Sequence, residues 1–350
     1  MLRHFRGPII FTLICLALGT WYGWVQHGSW AEAARILWIV VVLAVLEISL
    51  SFDNAVVNAT VLEDMDAVWQ KRFLTWGMVI AVYGMYILFP LAIVAVAAGL
   101  GPWDTIDLSL HDPEKYESIV SSAHVGIAAY GGSFLAMVGL KFFFDEEKDV
   151  HWVAVIEEKL ARCSNLPSAE IALLLLALWG VSSLLPADEA QTFLIAGILG
   201  IVTFIAVDAV GTILELRDQR LKLQGAVVRS GLGGFLYLNV LDASFSFDAV
   251  IGAFALSNNM VVIALGLSIG AMFVRAMTVL LVQKGTLGEY RYLEHGAFWA
   301  ILALSAIMLV STRYHVPESL TGMIGAALIA LSLWWSVRHN RREARTVIPA

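Results

Sequence analysis

The sequence predicts an all-α polytopic membrane protein, with about ten transmembrane helices arranged as an inverted-topology repeat. Three observations carry that expectation. Hydrophobic residues make up 59% of the 350 and charged residues only 15%, against roughly 25% charged in soluble domains; the mean hydropathy is +0.78. Apolar runs of bilayer-crossing length recur along the whole chain. An acidic, hydroxyl-bearing motif sits inside one such run and returns 195 residues later in another.

Taken in order, the apolar runs place spans at about 8–25, 34–62, 74–99, 123–143, 168–187, 190–214, 227–256, 260–282, 295–312 and 317–337. The first follows Arg3 and Arg6 but lacks a clear small-x-small cleavage site. Trp21, Tyr22 and Trp24 at its far end suit an interfacial anchor rather than a signal peptide. Residues 1–30 are therefore read as an anchor span, 34–187 and 190–337 as the two repeat halves, and 338–350 as a basic tail. With the N-terminus inside, eighteen Lys and Arg residues outside the hydrophobic cores fall on the cytoplasmic side. Only Arg35, Lys115 and Arg313 fall on the other. Both termini are expected in the cytoplasm. The 101–122 segment is read as a solvated outer loop, and His151–Leu160 as a short amphipathic helix on the inner membrane surface. Arg338 to Arg345 reads as a stop-transfer and headgroup anchor. Cys15 and Cys163 offer neither a disulfide framework nor metal spacing, and nothing points to nucleic acid.

The motif is Leu46-Glu-Ile-Ser-Leu-Ser-Phe-Asp-Asn-Ala-Val-Val-Asn58, and its second copy is Leu241-Asp-Ala-Ser-Phe-Ser-Phe-Asp-Ala-Val-Ile251. Glu47 corresponds to Asp242, Ser51 to Ser246 and Asp53 to Asp248. A carboxylate at mid-bilayer costs roughly 2.5–3.5 kcal/mol on insertion scales, so such a pair calls for a reason. The topology makes the two copies antiparallel at similar depth, the arrangement of many secondary transporters. Glu47, Ser51, Asn54 and Asn58 share one face of an ideal helix, while Asp53 lies with Ser49 on nearly the opposite face. A straight helix cannot aim both acids at one ligand. Either the spans break near Ser-Phe-Asp or the acids have separate partners.

The donors are carboxylate, hydroxyl and carboxamide oxygens, which suit Mg²⁺, Ca²⁺ or Mn²⁺ rather than zinc or copper. The expected metal residues are Glu47, Ser51, Asp53, Asn54, Asp242, Ser246 and Asp248, with Asn58, Asp208 and Arg275 as secondary candidates. Four acids exceed the charge of one divalent ion, an excess that a cation/proton exchanger could use. Asp208 could extend an ion path inward or form a packing hydrogen bond. Arg275 could pair with a motif acid or with Asp208, or snorkel to the interface. Tyr83, Tyr86, Tyr130 and Thr203 are read as packing residues.

Leu46-Glu-Ile-Ser-Leu-Ser-Phe-Asp-Asn-Ala-Val resembles the TerC family of integral membrane proteins. Ala123-His-Val-Gly-Ile-Ala-Ala-Tyr-Gly-Gly132 and Phe142-Phe-Phe-Asp-Glu-Glu-Lys148 resemble its branch known as domain of unknown function 475. The second motif copy departs from the first, with Asp242 for Glu47 and Ala249 for Asn54. The resemblance implies a manganese-handling protein of the bacterial inner membrane, linked to tellurite resistance or to Mn²⁺ export. The expectation is thus a secondary exporter of a divalent cation, Mn²⁺ ahead of Ca²⁺ or Mg²⁺, and not an enzyme. The alternative is a non-transporting scaffold or metal-loading partner. No G-x-x-x-x-G-K-[ST] phosphate loop is present, and no G-x-G-D sequence supports an intramembrane aspartyl protease. The oligomeric state stays open.

Overall fold

The computed structural model describes residues 5–346 except 78, 146–149, 164–165, 167, 224–230, 255, 258, 315 and 317. The side chains of Glu215 and Asp248 lie outside the described residues, as do Lys148 and Arg229. Every described element is helical.

Helix α1 (Arg6–His27) stops where Gly28 turns left-handed at φ 61°, and the Ser29 side chain accepts from the Ala31 N–H to start α2 (Trp30–Leu50). These are an αL C-cap and a serine N-cap back to back. Helix α2 ends inside the first motif. Ser51 has φ −100° and ψ 20°, and α3 (Phe52–Glu63) leaves at 51° to α2. The break expected near Ser-Phe-Asp is therefore present in the first copy. The second copy lies within the continuous helix α12 (Leu232–Ala253), so only one of the two motifs is bent.

After the short α4 (Ala67–Arg72), the expected span 74–99 divides into π-helical turns at Phe73–Gly77 and Ile80–Leu88, then α5 (Phe89–Ala98). At the first of these segments a side chain from another helix is inserted into the backbone ladder. The Arg275 guanidinium, inserted from another helix, donates to the Phe73 and Gly77 carbonyls at 2.9 and 2.8 Å. A Cβ on residue 77 would lie 2.8 Å from its Nη1, so Gly77 is what admits it.

The segment expected as a solvated loop is instead two helices, α6 (Pro102–His111) and α7 (Pro113–Ser122). Each begins with a proline in its first turn, and the Asp112 carboxylate accepts from the Lys115 N–H at the start of α7. Tyr116 is wholly buried, its ring centroid 6.2 Å from that of Phe254.

Helix α8 (His124–Phe143) is the buried axis of the bundle and packs on α11 (Ala187–Leu223) and α15 (Leu293–Ser311). Between α8 and α11 come α9 (Ala154–Cys163) and α10 (Ala169–Ser182). Helix α13 (Met260–Lys284) packs on α1, α2 and α3; the short α14 (Thr286–Glu289) follows it, and α16 (Glu318–Thr346) lies on α15. Helices from both expected halves thus interleave around the motif.

Among the described residues, six helices are long and apolar enough to cross a membrane, or seven if the bent α2–α3 pair counts as one span. Helix α10 has 14 residues and is shorter than a full crossing, and α12 is not among the six. This is a polytopic helical membrane protein whose apolar outer faces suit a lipid environment.

The expected surface helix at 151–160 appears as α9, but it docks on the bundle through its own acid. Glu157 is 1% exposed and accepts from the Trp152 and Val153 N–H groups at 2.9 and 3.1 Å and from Trp299 Nε1 at 2.9 Å. It also bonds His295 Nδ1 at 2.8 Å. Burial alone would push this carboxyl up. The hydrogen bonds from His295, Trp299 and Val153 outweigh it and hold the group at about 2.

Candidate functional site

Helix α2 brings Glu47 to the interior because α13 offers no side chain in its path. A Cβ on Gly270 would lie 2.3 Å from Glu47 Cγ, and one on Gly266 would lie 2.5 Å from Leu43 Cβ. The Gly266-x-x-x-Gly270 spacing lets the two backbones close on each other, a device typical of membrane helix pairs. Once inside, Glu47 Oε1 accepts from Ser51 Oγ at 2.9 Å and from the Tyr86 hydroxyl at 3.0 Å. Tyr86 is therefore a partner of the motif and not a packing residue. Sequence position carried no sign of this, whereas the Gly-x-x-x-Gly spacing was a visible signal left unread.

The two motif copies meet at Asn58, whose Nδ2 donates to Asp242 Oδ1 at 2.7 Å. Asp242 Oδ2 accepts from Arg275 Nη2 at 2.9 Å. Of the three readings of Arg275, pairing with a motif acid is the one observed. The guanidinium also lies 4.5 Å from the centroid of the Phe73 ring. The Asn58 amide and the Arg275 guanidinium satisfy the two oxygens of Asp242, while the Phe73 and Gly77 carbonyls accept from the same guanidinium, and an ion pair removed from water needs that completeness. Ser246 Oγ donates back to the Asp242 carbonyl at 2.7 Å, and Ser49 Oγ does the same to Val45 on an exposed face.

Between these groups lies a chamber of about 30 Å³, lined by Glu47, Ser51, Asn54, Asn58, Asp242 and Ser246, with Tyr86 and Arg275. That volume admits about one water or one ion. Three of its lining residues carry a buried oxygen with no hydrogen-bond donor: Glu47 Oε2, Asn54 Oδ1 and Asn58 Oδ1. Buried acceptors are rarely left unmatched, and a carboxylate and two carboxamide oxygens are the donor types a hard cation takes.

Asp53 is elsewhere. The break at Ser51 turns it into a second chamber of about 40 Å³, with Ser51, Asn54, Leu304, Thr321 and Gly325 among its walls. It is 5% exposed, and its carboxylate accepts from the Asn54 N–H at 3.0 Å. It sits in the first turn of α3, where the helix dipole favours an anion. Of the acids expected at one ion, Glu47 and Asp242 line the first chamber and Asp53 the second; the Asp248 side chain lies outside the described residues. Among the described residues, no three His, Cys, Asp or Glu side chains group closely enough to hold a metal. Asp208 lies outside both chambers. It pairs with Lys141 and lines a separate cavity of about 740 Å³ with Asp64, Glu170 and Tyr237.

Fold and site together define a helical membrane protein that keeps a polar, oxygen-lined chamber beside a broken span. Residues 52–343 match the family described as Protein of unknown function (DUF475), and the chain belongs to it. No curated protein and no solved structure matches it.

Proposed function

We propose that this protein is a secondary transporter that exports a divalent metal cation, Mn²⁺ ahead of Ca²⁺ or Mg²⁺. The observation that carries the reading is the trio Glu47 Oε2, Asn54 Oδ1 and Asn58 Oδ1, buried without donors on residues that line one void. A desolvated cation supplies what those oxygens lack, and a carboxylate with two carboxamides is a hard donor set. The broken α2–α3 span supports the same reading, since interrupted helices near mid-membrane form the ion sites of many transporters. The ten-span inverted repeat, the cytoplasmic termini, the inner-membrane location and the TerC relationship belong to this proposal. The contact between the two motif copies at Asn58 and Asp242 favours it.

One observation favours the alternative of a non-transporting scaffold or metal-loading partner. Arg275 already neutralises Asp242, which leaves Glu47 as the one carboxylate of the chamber with a free oxygen. Equilibrium binding to the purified protein in detergent tests the transporter's ion site. Mn²⁺ is expected to bind more tightly than Zn²⁺, and Glu47→Gln to remove that binding. Tighter Zn²⁺ binding, or Mn²⁺ binding unaffected by Glu47→Gln, overturns the assignment.

A further inference from the structure

We infer that the cation passes two stations in series, the Glu47 chamber and the Asp53 chamber, with the Ser51–Asn54 break as the wall they share. The inference rests on the transport reading and adds a second binding site, with α16 as one of its walls. Four observations support it. Ser51 and Asn54 line both chambers, while Glu47 lines only one and Asp53 only the other. Asp53 is buried and, among the described residues, pairs with no cation. Its chamber has room for about one ion and adds the Thr321 hydroxyl as an oxygen donor. The wall facing Asp53 is a glycine: a Cβ on Gly325 would stand 3.5 Å from Asp53 Oδ2, an ordinary contact, so what Gly325 leaves open is space.

The arrangement accounts for the motif's odd phasing. Placing its acids on opposite helix faces would waste one of them in a single site. With a break between them, each acid heads its own chamber, and Asn54 can turn its carboxamide oxygen to an ion on either side. Passage between stations then exchanges Glu47 for Asp53 around a ligand that stays in place. The bound species would be a bare or nearly bare divalent cation, because neither void holds a hydrated one.

The test measures Mn²⁺ binding in detergent and Mn²⁺ flux in proteoliposomes for the full chain and three variants. Asp53→Asn keeps the shape and removes the charge. Gly325→Leu fills the second chamber from α16, and Met323→Leu, on the exposed face of the same helix and outside both chambers, is the control. The expected result is that Asp53→Asn and Gly325→Leu keep the Mn²⁺ binding that depends on Glu47 but transport the ion at least tenfold more slowly. Met323→Leu should do both normally. Wild-type flux in Asp53→Asn and Gly325→Leu overturns the second station and leaves the transporter reading intact. So does loss of binding together with flux in Asp53→Asn, since Asp53 would then belong to the first site. Wild-type protein that neither binds nor moves Mn²⁺ removes the transport reading, and the second station with it. A melting temperature for each variant excludes misfolding as the cause of slow flux.

Discussion

Asn58 donates a 2.7 Å hydrogen bond to Asp242, joining the two copies of the motif across 184 positions of sequence. The same carboxylate receives the Arg275 guanidinium at 2.9 Å, and Arg275 in turn holds the π-helical stretch through Phe73 and Gly77. Four helical segments therefore converge on one ion pair.

Removing the cation from that pair leaves a buried carboxylate uncompensated, which typically costs about 3–5 kcal/mol. Arg275→Met should lower the melting temperature in detergent markedly. Asp242→Asn added to it should restore part of the loss, because the two positions form one unit and their effects do not add. A double variant no more stable than Arg275→Met would show that the pair is not the junction.

Tyr86 acts on the chamber through Glu47, so its removal should weaken metal binding more than it weakens the fold. Tyr86→Phe keeps the ring and deletes the hydroxyl bonded to Glu47 Oε1. Mn²⁺ affinity should fall by roughly tenfold or more, as for other groups that orient a ligand, with a stability change of about 1 kcal/mol. Isothermal titration alongside thermal unfolding separates the two effects. Unchanged affinity would return Tyr86 to packing.

Glu157 makes the docking of α9 depend on pH. Its folded value of about 2 lies below the ordinary 4.5. The bonds to His295, Trp299 and the α9 backbone therefore contribute fully above about pH 4.5 and are lost as pH falls toward 2. The contribution is on the order of 3 kcal/mol. Wild-type stability should fall through that window, and Glu157→Gln should start lower and fall less. Parallel stability–pH curves for the two proteins would contradict the assignment.

Topology is open to a direct check on α7. Ser109 is buried, but Ser118 is exposed. A cysteine at 118 should react with an impermeant maleimide in intact cells if the 101–122 segment is outside. Protection in cells with reaction in inverted membranes would reverse the orientation.

Much of the motif's geometry was legible in the sequence. The opposed faces of Glu47 and Asp53 required a break or separate partners, and the structure has both: a 51° bend at Ser51 and two chambers. No Pro or Gly marks the break, so its position follows only from what each acid must reach. Arg275 was legible as a partner for a motif acid, but which acid depends on Gly77 and the π-helical turns beside it, a matter of packing between distant segments. Asp208 pairs with Lys141 on α8, a contact between residues 67 positions apart that no local pattern signals. Helices α6 and α7 were hidden by their polar composition, although Pro102, Pro113 and Asp112 are ordinary helix-start residues. The Glu157 clasp joins residues 138 and 142 positions apart, so no local pattern announces it.

The central claim is that Glu47, with Asn54 and Asn58, holds a cation in transit. Its most direct measurement is Mn²⁺ flux through proteoliposomes containing wild-type protein or Glu47→Gln, a change that preserves volume and can still accept from Ser51 and Tyr86. The account predicts Mn²⁺ movement by wild type that Glu47→Gln reduces to the level of empty vesicles, with both proteins folded. Equal flux through the two proteins, or none through wild type, would contradict it.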